Sequence, residues 1–524
     1  MMKSSCKSTL IRPQFASADS LHENQTDQEQ WIGQTRNPDT MTSNKVNVQM
    51  IVTDQAGVDV DKLQYRRPAY VAVGFVLALT AFVVLFPALV NSRMLGMKFN
   101  VFTKRIGPRC DDSYCKVELV ESIPENVTFN ETVAHLSTFN AWKTLITKAN
   151  KTIKIASCYW SLTSNDTGHF HFSSAWQGEE ILKLLKRSLS ARKINVEIVT
   201  DAQSYNKSRR NLEELAKLGA KVRRLDMKKL LNSSGILHTK MWIIDDKHAY
   251  VGSANMDWRS LTEVKELGVL ITNCSCMIKD LVKNFIVYWK LAVKDAVIPV
   301  TWPTSLSTLY DIESPMVVSL RGMKDIARLF FTNSPQSLCP RGRTNDIYAI
   351  VSVINRARKF VYISVMDYHP LIEYRKPELF WPVIDNALRK VALENFVEIR
   401  LLISRWRHTR KDMYHFLKSL KALNGIENGA DKVKFEVKLF EVPVSKAQEK
   451  IPYARVNHNK YMITDNAAFI GTSNWSGDYF TNTAGTSLIV NQTRADGTID
   501  VTTVQKQLLD IFTRDWNSRY AVWL

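Results

Sequence analysis

HTKMWIID at 238–245, with GSAN at 252–255, has a counterpart later in the chain: HNKYMITD at 458–465, with GTSN at 471–474. Both read His-x-Lys-x4-Asp, then a turn that starts in Gly and ends in Asn. Residues two apart on an extended segment face the same side. His238 with Lys240, and His458 with Lys460, therefore each present an imidazole and an ammonium together. The apolar residues after each lysine carry the strand into a core. One His-x-Lys is a common surface coincidence, but two copies with matched downstream turns are not.

The surroundings of the two copies repeat as well. Ahead of the first stand KTIKIASCYW (151–160), GEEILKLLKRSLSAR (178–192), INVEIVTD (194–201) and ELAKLGAKVRRLDM (214–227). Ahead of the second stand RKFVYISVMDY (358–368), FWPVIDNALRKVAL (380–393), VEIRLLIS (397–404) and KVKFEVKLFEVP (432–443). Apolar runs alternating with amphipathic, helix-length stretches predict an α/β fold. The order predicts two similar halves, 126–305 and 306–524, related by a pseudo-twofold axis. A site on that axis would take one set of residues from each half.

Upstream, Ala69 to Val90 is 22 residues without a charge, long enough as a helix to span a bilayer. The 68 polar residues before it argue against a cleaved signal peptide. The organisation expected is a cytosolic tail (1–68), a membrane helix (69–90), a stem (91–125) and the two halves. Lys62, Arg66 and Arg67 precede the span while Arg93, Lys98, Lys104, Arg105 and Arg109 follow it, so the positive-inside count leans slightly against an inward N-terminus, though a large domain can translocate regardless of charge. Nine Asn-x-Ser/Thr sequons follow the span, at Asn126, Asn130, Asn150, Asn165, Asn206, Asn232, Asn273, Asn474 and Asn491. Of seven cysteines only Cys6 precedes it. Cys110 with Cys115, and Cys274 with Cys276, are close pairs suited to two bridges in an oxidising lumen; a zinc site is the competing reading. These features predict a type II protein with its body in the lumen.

The formal charge of +19 has a location. Residues 1–68 hold eight basic and eight acidic side chains, so the whole excess lies beyond them. A basic body suits an anionic partner. Two imidazoles, two ammoniums and the amides of Asn255 and Asn474 around one point suit a tetrahedral phosphoryl group.

These motifs resemble those of the phospholipase D superfamily over about residues 110–524. The stretches GSANMDWRSLTEVKELGV (252–269), NCSC (273–276), IPYARVNHNKYMITD (451–465) and IGTSNWSGDYF (470–480) look closest to the animal transmembrane phospholipase D3/D4 group. The resemblance implies duplicated α/β/α sandwich halves and a phosphodiesterase needing no metal or other cofactor. It implies a catalytic set of His238, Lys240, Asp245, His458, Lys460 and Asp465, with the two aspartates supporting their own loops. Asn255 and Asn474 would join the lysines in binding phosphate. His238 would be the nucleophile and His458 the general acid/base. Many family members place an acid eleven residues after the Asn of both halves; here Glu266 fills that place in the first and Gly485 stands there in the second. A Glu266 reaching across the axis would orient His458 and reopen the choice of nucleophile.

The resemblance further implies a 5′→3′ exonuclease on single-stranded DNA or RNA in acidic late endosomes and lysosomes, reached through the endoplasmic reticulum and Golgi. Trp160, Trp242, Trp258, Trp475, Tyr479 and Phe480 are candidates for base stacking, with core packing the commoner role for any one of them. A phospholipid phosphodiesterase or transphosphatidylase would use the same residues. A non-catalytic glycoprotein is disfavoured by two intact His-Lys pairs. A homodimer stays open.

Overall fold

Each half is built on short β-branched runs whose alternate residues are buried, as in TIKIAS and FVYISV. The computed structural model describes residues 109–110, 114–130, 135–168 and 171–524. The expected tail (1–68) and membrane helix (69–90) lie outside the described residues. Among the described residues no helix is long and apolar enough to cross a membrane.

In the first half the strands are β1 (Lys116–Ser122), β2 (Thr152–Ser157), β3 (Asn195–Asp201), β4 (Lys221–Leu225), β5 (Met241–Ile244), β6 (His248–Gly252) and β7 (Glu266–Thr272). They lie in the order β1-β7-β6-β5-β2-β3-β4. The second half has β8 (Ala327–Ser334), β9 (Phe360–Val365), β10 (Glu398–Ser404), β11 (Phe435–Phe440), β12 (Lys460–Thr464), β13 (Ala468–Ile470) and β14 (Gly485–Asn491), ordered β8-β14-β13-β12-β9-β10-β11. The two orders are the same strand for strand. In each, three neighbours run parallel and the rest antiparallel. β1 lies in the stretch read as stem, yet it pairs with β7 over its full length, Glu266 opposite Ser122.

The helices α1 (Thr138–Lys148), α2 (Trp176–Ser190) and α3 (Arg210–Lys217) cover the first sheet. Its α1 buries Phe139, Trp142, Leu145 and Ile146, one stripe at helical spacing. The corresponding α5 (Asp346–Arg356), α6 (Val383–Asn395) and α7 (Met413–Lys421) cover the second. A third core joins the sheets through Leu119, Met241 and Val269 from one and Phe331, Ile463 and Leu488 from the other. Into it α4 (Ser275–Leu291) sends Ile278, Leu281 and Phe285, and α8 (Val504–Asn517) sends Leu508, Ile511 and Phe512. Each such residue, fully buried, contributes about 1.5–3 kcal/mol, so the two halves are held as one body.

Charged groups cross the same boundary. Lys265 has no exposed surface, and its Nζ lies 2.8 Å from an Asp515 carboxylate oxygen on α8. The neighbouring Arg514 is bidentate to Glu121 on β1, both contacts 2.7 Å. Arg455 of the second half pairs with Glu263 of the first at 3.0 Å. The four cysteines read as close pairs form the disulfides Cys110–Cys276 and Cys115–Cys274, which removes the zinc alternative. They tie the start of the described chain to the start of α4.

Candidate active site

Both His-x-Lys segments enter a strand directly, and each is hung from the opposite half. The His238 N–H donates to the Ala484 carbonyl at 2.9 Å, and the His458 N–H donates to that of Lys265 at 2.8 Å. Isolated parallel bridges, Leu237 with Ala484 and Lys265 with Asn457, make the same connection one residue earlier. Each motif thus starts beside the residue eleven positions after the other half's asparagine, or the one before it. This exchange brings His238, Lys240 and Asn255 together with His458, Lys460 and Asn474.

All seven predicted polar groups are buried or nearly so. Lys240 is 2% exposed, Lys460 1%, Asn255 6%, Asn474 5%, His238 7% and Glu266 0%, while the His458 side chain keeps 12%. Each lysine ammonium donates to the carbonyl of its own histidine, Lys240 to His238 at 2.6 Å and Lys460 to His458 at 2.7 Å. Burial pushes the Lys240 ammonium down to about 8. It pushes Lys460 down further, with Lys240 adding to the effect. Burial and the lysines likewise hold His238 well below the ordinary imidazole value. His458 is brought down to about 4 by burial, with Glu266 opposing. A site whose cations are this reluctant to hold their protons is short of negative charge. An arriving phosphodiester would supply it.

The histidines differ in one respect. Glu266 places its carboxylate oxygens 2.8 and 3.0 Å from Nδ1 of His458, across the boundary between halves. Burial raises the Glu266 carboxyl, but His458 and Lys460 bring it below its usual value. His238 has the backbone of Thr472 beside it, and its buried Nδ1 makes no hydrogen bond of normal geometry.

The asparagines are aimed by groups that sequence reading missed. Asn255 donates to the Tyr159 hydroxyl at 3.3 Å, which in turn donates to Asp257 at 2.9 Å. Asn474 donates to Asp367 at 3.2 Å and to the Tyr479 hydroxyl at 3.1 Å. The only signal for Tyr159 and Asp367 was their place just past the ends of the equivalent strands β2 and β9. The Tyr479 ring also meets His238 edge-on, centroids 5.0 Å apart.

Asp245 and Asp465 sit at the far end of the strands that begin beside the lysines. Asp245 accepts from the N–H groups of Asn150, Lys151 and Thr152 at 2.7, 2.9 and 2.7 Å. Asp465 accepts from those of Arg358 and Lys359 at 3.0 and 3.1 Å. They fasten turns and do not join the group around the histidines. The suggested stacking aromatics are also elsewhere. Trp160, Trp242, Trp258, Trp475 and Phe480 are 0–2% exposed and Tyr479 is 7%, so all are core. A less buried set of rings stands instead after β10, around RWRHTRK (405–411), where His408 is exposed and Trp406 and Tyr453 are half-buried. There His408 stacks on Tyr453 at 4.6 Å and meets Trp406 at 4.7 Å, beside exposed Arg407 and Lys411. That loop starts next to Ser404, whose hydroxyl accepts from the N–H of Asn457, the residue before His458.

Paired His-Lys elements on matching sheets, with an asparagine from each half, define a phosphodiesterase of the phospholipase D superfamily. A family model described as "PLD3/4, PLD-like domain" matches residues 130–445. The Xenopus laevis protein named 5'-3' exonuclease PLD3 is 49% identical over 416 residues, 79% of this chain and 82% of that one. The Homo sapiens protein of the same name is 48% identical over 408 residues, covering 78% and 80%. The Mus musculus 5'-3' exonuclease PLD4 is 44% identical over 411 residues, covering 78% and 79%. The chain belongs to the PLD3/4 family.

Proposed function

We propose that the protein is a 5′→3′ exonuclease that hydrolyses single-stranded DNA or RNA through a covalent phosphohistidine, without a metal, at acid pH. The observation that carries this reading is the contact between Glu266 and His458. It gives one composite site two histidines with different chemistry. The nucleophile must carry a positive charge while phosphorus is bonded to it, so it gains most from a neighbouring carboxylate. The general acid must release its proton, which two lysines and no carboxylate make easier. His458 is then the nucleophile and His238 the acid, the reverse of the order that the family pattern alone implies.

In the first step the ring nitrogen of His458 left free by Glu266 bonds to phosphorus as the P–O bond to the leaving oxygen breaks. His238 gives its proton to that oxygen. In the second, water attacks phosphorus while His238 takes a proton from it, and the phosphohistidine bond breaks. Lys240, Lys460, Asn255 and Asn474 hold the non-bridging oxygens throughout. His238 must be protonated before the first step, which acid pH and the bound phosphate both favour.

Nucleic acid is favoured over lipid by the net charge of +19 and the basic, aromatic 405–411 loop beside the site. The names of the relatives point the same way. Placement of the body in the lumen of the endolysosomal pathway, on a single span at 69–90, is supported by the two disulfides. Six of the nine sequon asparagines are exposed, as glycans require: Asn126, Asn130, Asn150, Asn165, Asn206 and Asn232.

The test incubates the detergent-purified full chain, with chelator, at acid pH on 5′-hydroxyl single-stranded DNA and on phospholipid vesicles. Mononucleotide release that vanishes in His238→Ala and His458→Ala is the expected result, with a nucleotide trapped on His458 after quenching in alkaline denaturant. Chelator-sensitive cleavage would remove the metal-free mechanism. Hydrolysed lipid beside intact DNA would favour a lipid enzyme.

A further inference from the structure

Gly485 stands to His238 as Glu266 stands to His458. Glu266 is opposite Ser122 in the β1–β7 ladder and Gly485 is opposite Ser334 in the β8–β14 ladder. The carbonyl just before each receives the N–H of the histidine from the other half, Lys265 for His458 and Ala484 for His238. A glutamate at 485 would therefore face His238, but the position has no side chain.

The space is not left apolar. A Cβ added to Gly485 would lie 2.5 Å from the Ser473 hydroxyl, 2.7 Å from that of Ser334 and 3.2 Å from Oδ2 of Asp346. Asp346 is the first residue of α5, directly after Asn345, whose side chain caps the helix. The matching first residue of α1, after the capping Ser137, is Thr138. Ser473 in turn matches Ala254. The first half thus has Glu266, Ala254 and Thr138 where the second has Gly485, Ser473 and Asp346. The carboxyl group has moved from the strand to the helix, and a hydroxyl has appeared between.

Asp346 has no exposed surface. Thr332 donates to its Oδ1, and no lysine or arginine pairs with it among the described residues. A carboxyl placed to favour a helix N-terminus can sit in solvent, and the cap here is already made by Asn345. Burying one away from any cation is unfavourable. Burial pushes it up to about 6, with Thr332, Ser334 and Ser487 opposing. Its Oδ2 faces the Ser334 and Ser487 hydroxyls, and the His238 ring has the Thr472 backbone beside it; Oδ2, the Ser473 hydroxyl and Nδ1 of His238 are all buried and make no hydrogen bond of normal geometry. Two hydroxyls and a carboxyl border the glycine, directly after the Ala484 carbonyl that receives the His238 N–H.

We propose that Asp346 is the displaced carboxyl group of the second half and positions His238 through the Ser473 and Ser334 hydroxyls that border Gly485. His238 then has a hydroxyl beside it where His458 has an anion. It is held in place without the contact that would make its proton harder to release. This inference rests on the reading of His238 as the general acid. The titratable groups facing Asp346 are Cys339 and Tyr288. Those facing His238 are Lys240, Lys460 and His458.

The full-length enzyme is compared on a natural phosphodiester, whose leaving oxygen must be protonated, and on a nitrophenyl phosphodiester, whose leaving group needs no proton, read as the first-turnover burst of nitrophenol so that the second step, which also uses His238, does not enter. Asp346→Ala should lower kcat on the natural substrate about tenfold, a fraction of a general acid's usual effect. KM and the rate of the nitrophenol burst should stay within about twofold of wild type, since binding and nucleophile are untouched. Asp346→Asn, which matches the neutral acid in shape, should restore the rate at pH 5 and lose any inflection near pH 6. The triple change Gly485→Glu, Ser473→Ala, Asp346→Thr, which copies the first half, should fold and raise the pH at which the acid limb falls. Equal losses on both substrates in Asp346→Ala, not rescued by Asp346→Asn, would overturn the proposal, as would no loss at all. His238→Ala is run beside them. If it abolishes the first-turnover release of nitrophenol as fully as cleavage of the natural diester, the acid assignment of His238 fails. Asp346 is then judged by its pH profile, and an unchanged profile in Asp346→Asn overturns its role.

Discussion

The Glu266 carboxylate lies 2.8 Å from Nδ1 of His458, although 192 residues of chain separate them and they belong to opposite halves. One histidine of the site therefore has an anion behind it and the other does not. Glu266→Gln keeps the size of the side chain and removes the charge. It should lower kcat about 100-fold or more, with little change in KM. Steady-state kinetics on single-stranded DNA checks this, and a rise in KM alone would mean that the contact serves binding.

Lys265 immediately precedes Glu266 and is buried among Asp515, Glu121 and Arg514. Lys265→Met leaves Asp515 without its nearest ammonium, so stability should drop by about 3–5 kcal/mol. The loss should appear as a lower thermal midpoint. The same change should reduce activity in the protein that remains folded, because the Lys265 carbonyl holds His458.

Asp478 is buried beside Glu373, and burial first, with Glu373 second, pushes its carboxyl up to about 6 from 3.8. Its backbone donors are the N–H groups of Glu373 and Tyr374, and His369 faces Glu373. The folded state binds this proton more readily than the unfolded one. Its contribution to stability is therefore fully present below pH 3.8 and lost as pH rises through about 6. Asp478→Asn should stabilise the protein at pH 7 relative to wild type, and the gain should shrink toward pH 4. Thermal unfolding across pH 4–8 measures it; a gain independent of pH would contradict the assignment.

His408 and Tyr453 form a stacked pair at the edge of the loop after β10. Replacing both by Ala should weaken binding of single-stranded DNA by about 1–3 kcal/mol for each base that stacks there. The thermal midpoint should change little, because His408 is exposed and Tyr453 half-buried. Trp475→Ala should behave in the opposite way, costing stability by about 3–5 kcal/mol through the cavity it leaves, since that ring is 1% exposed. Binding titrations and thermal melts separate the two.

Much of the α/β fold could be read along the chain. The runs at 194–201 and 397–404 became strands, and those at 178–192 and 380–393 became the helices beside them, because apolar spacing is a local signal. β1 was harder to see. It lies outside the repeated blocks and becomes a strand only by pairing with β7. The aromatic residues near the motifs were legible as aromatic but not as exposed or buried. Trp242 alternates along β5, and the first half's core of α1 and the sheet lies behind it. The RWRHTRK run carried a basic, aromatic signal of its own, yet only the fold brings it beside Asn457 and His458.

By itself the sequence determined that His and Lys would share a face twice, because a strand repeats every two residues. It also determined that Asn255 and Asn474 would follow on turns. Which histidine receives a carboxylate was decided only by the tertiary structure. That depends on two long-range bridges, 237 to 484 and 265 to 457, which exchange the halves' histidines. The same is true of Asp346. Nothing along the chain ties the first residue of a helix to a glycine 139 positions later until β14 is laid against β8 and the helix packs over both. Local periodicity is set by backbone geometry, whereas the electrostatics of a site depend on what the folded chain brings within hydrogen-bond distance.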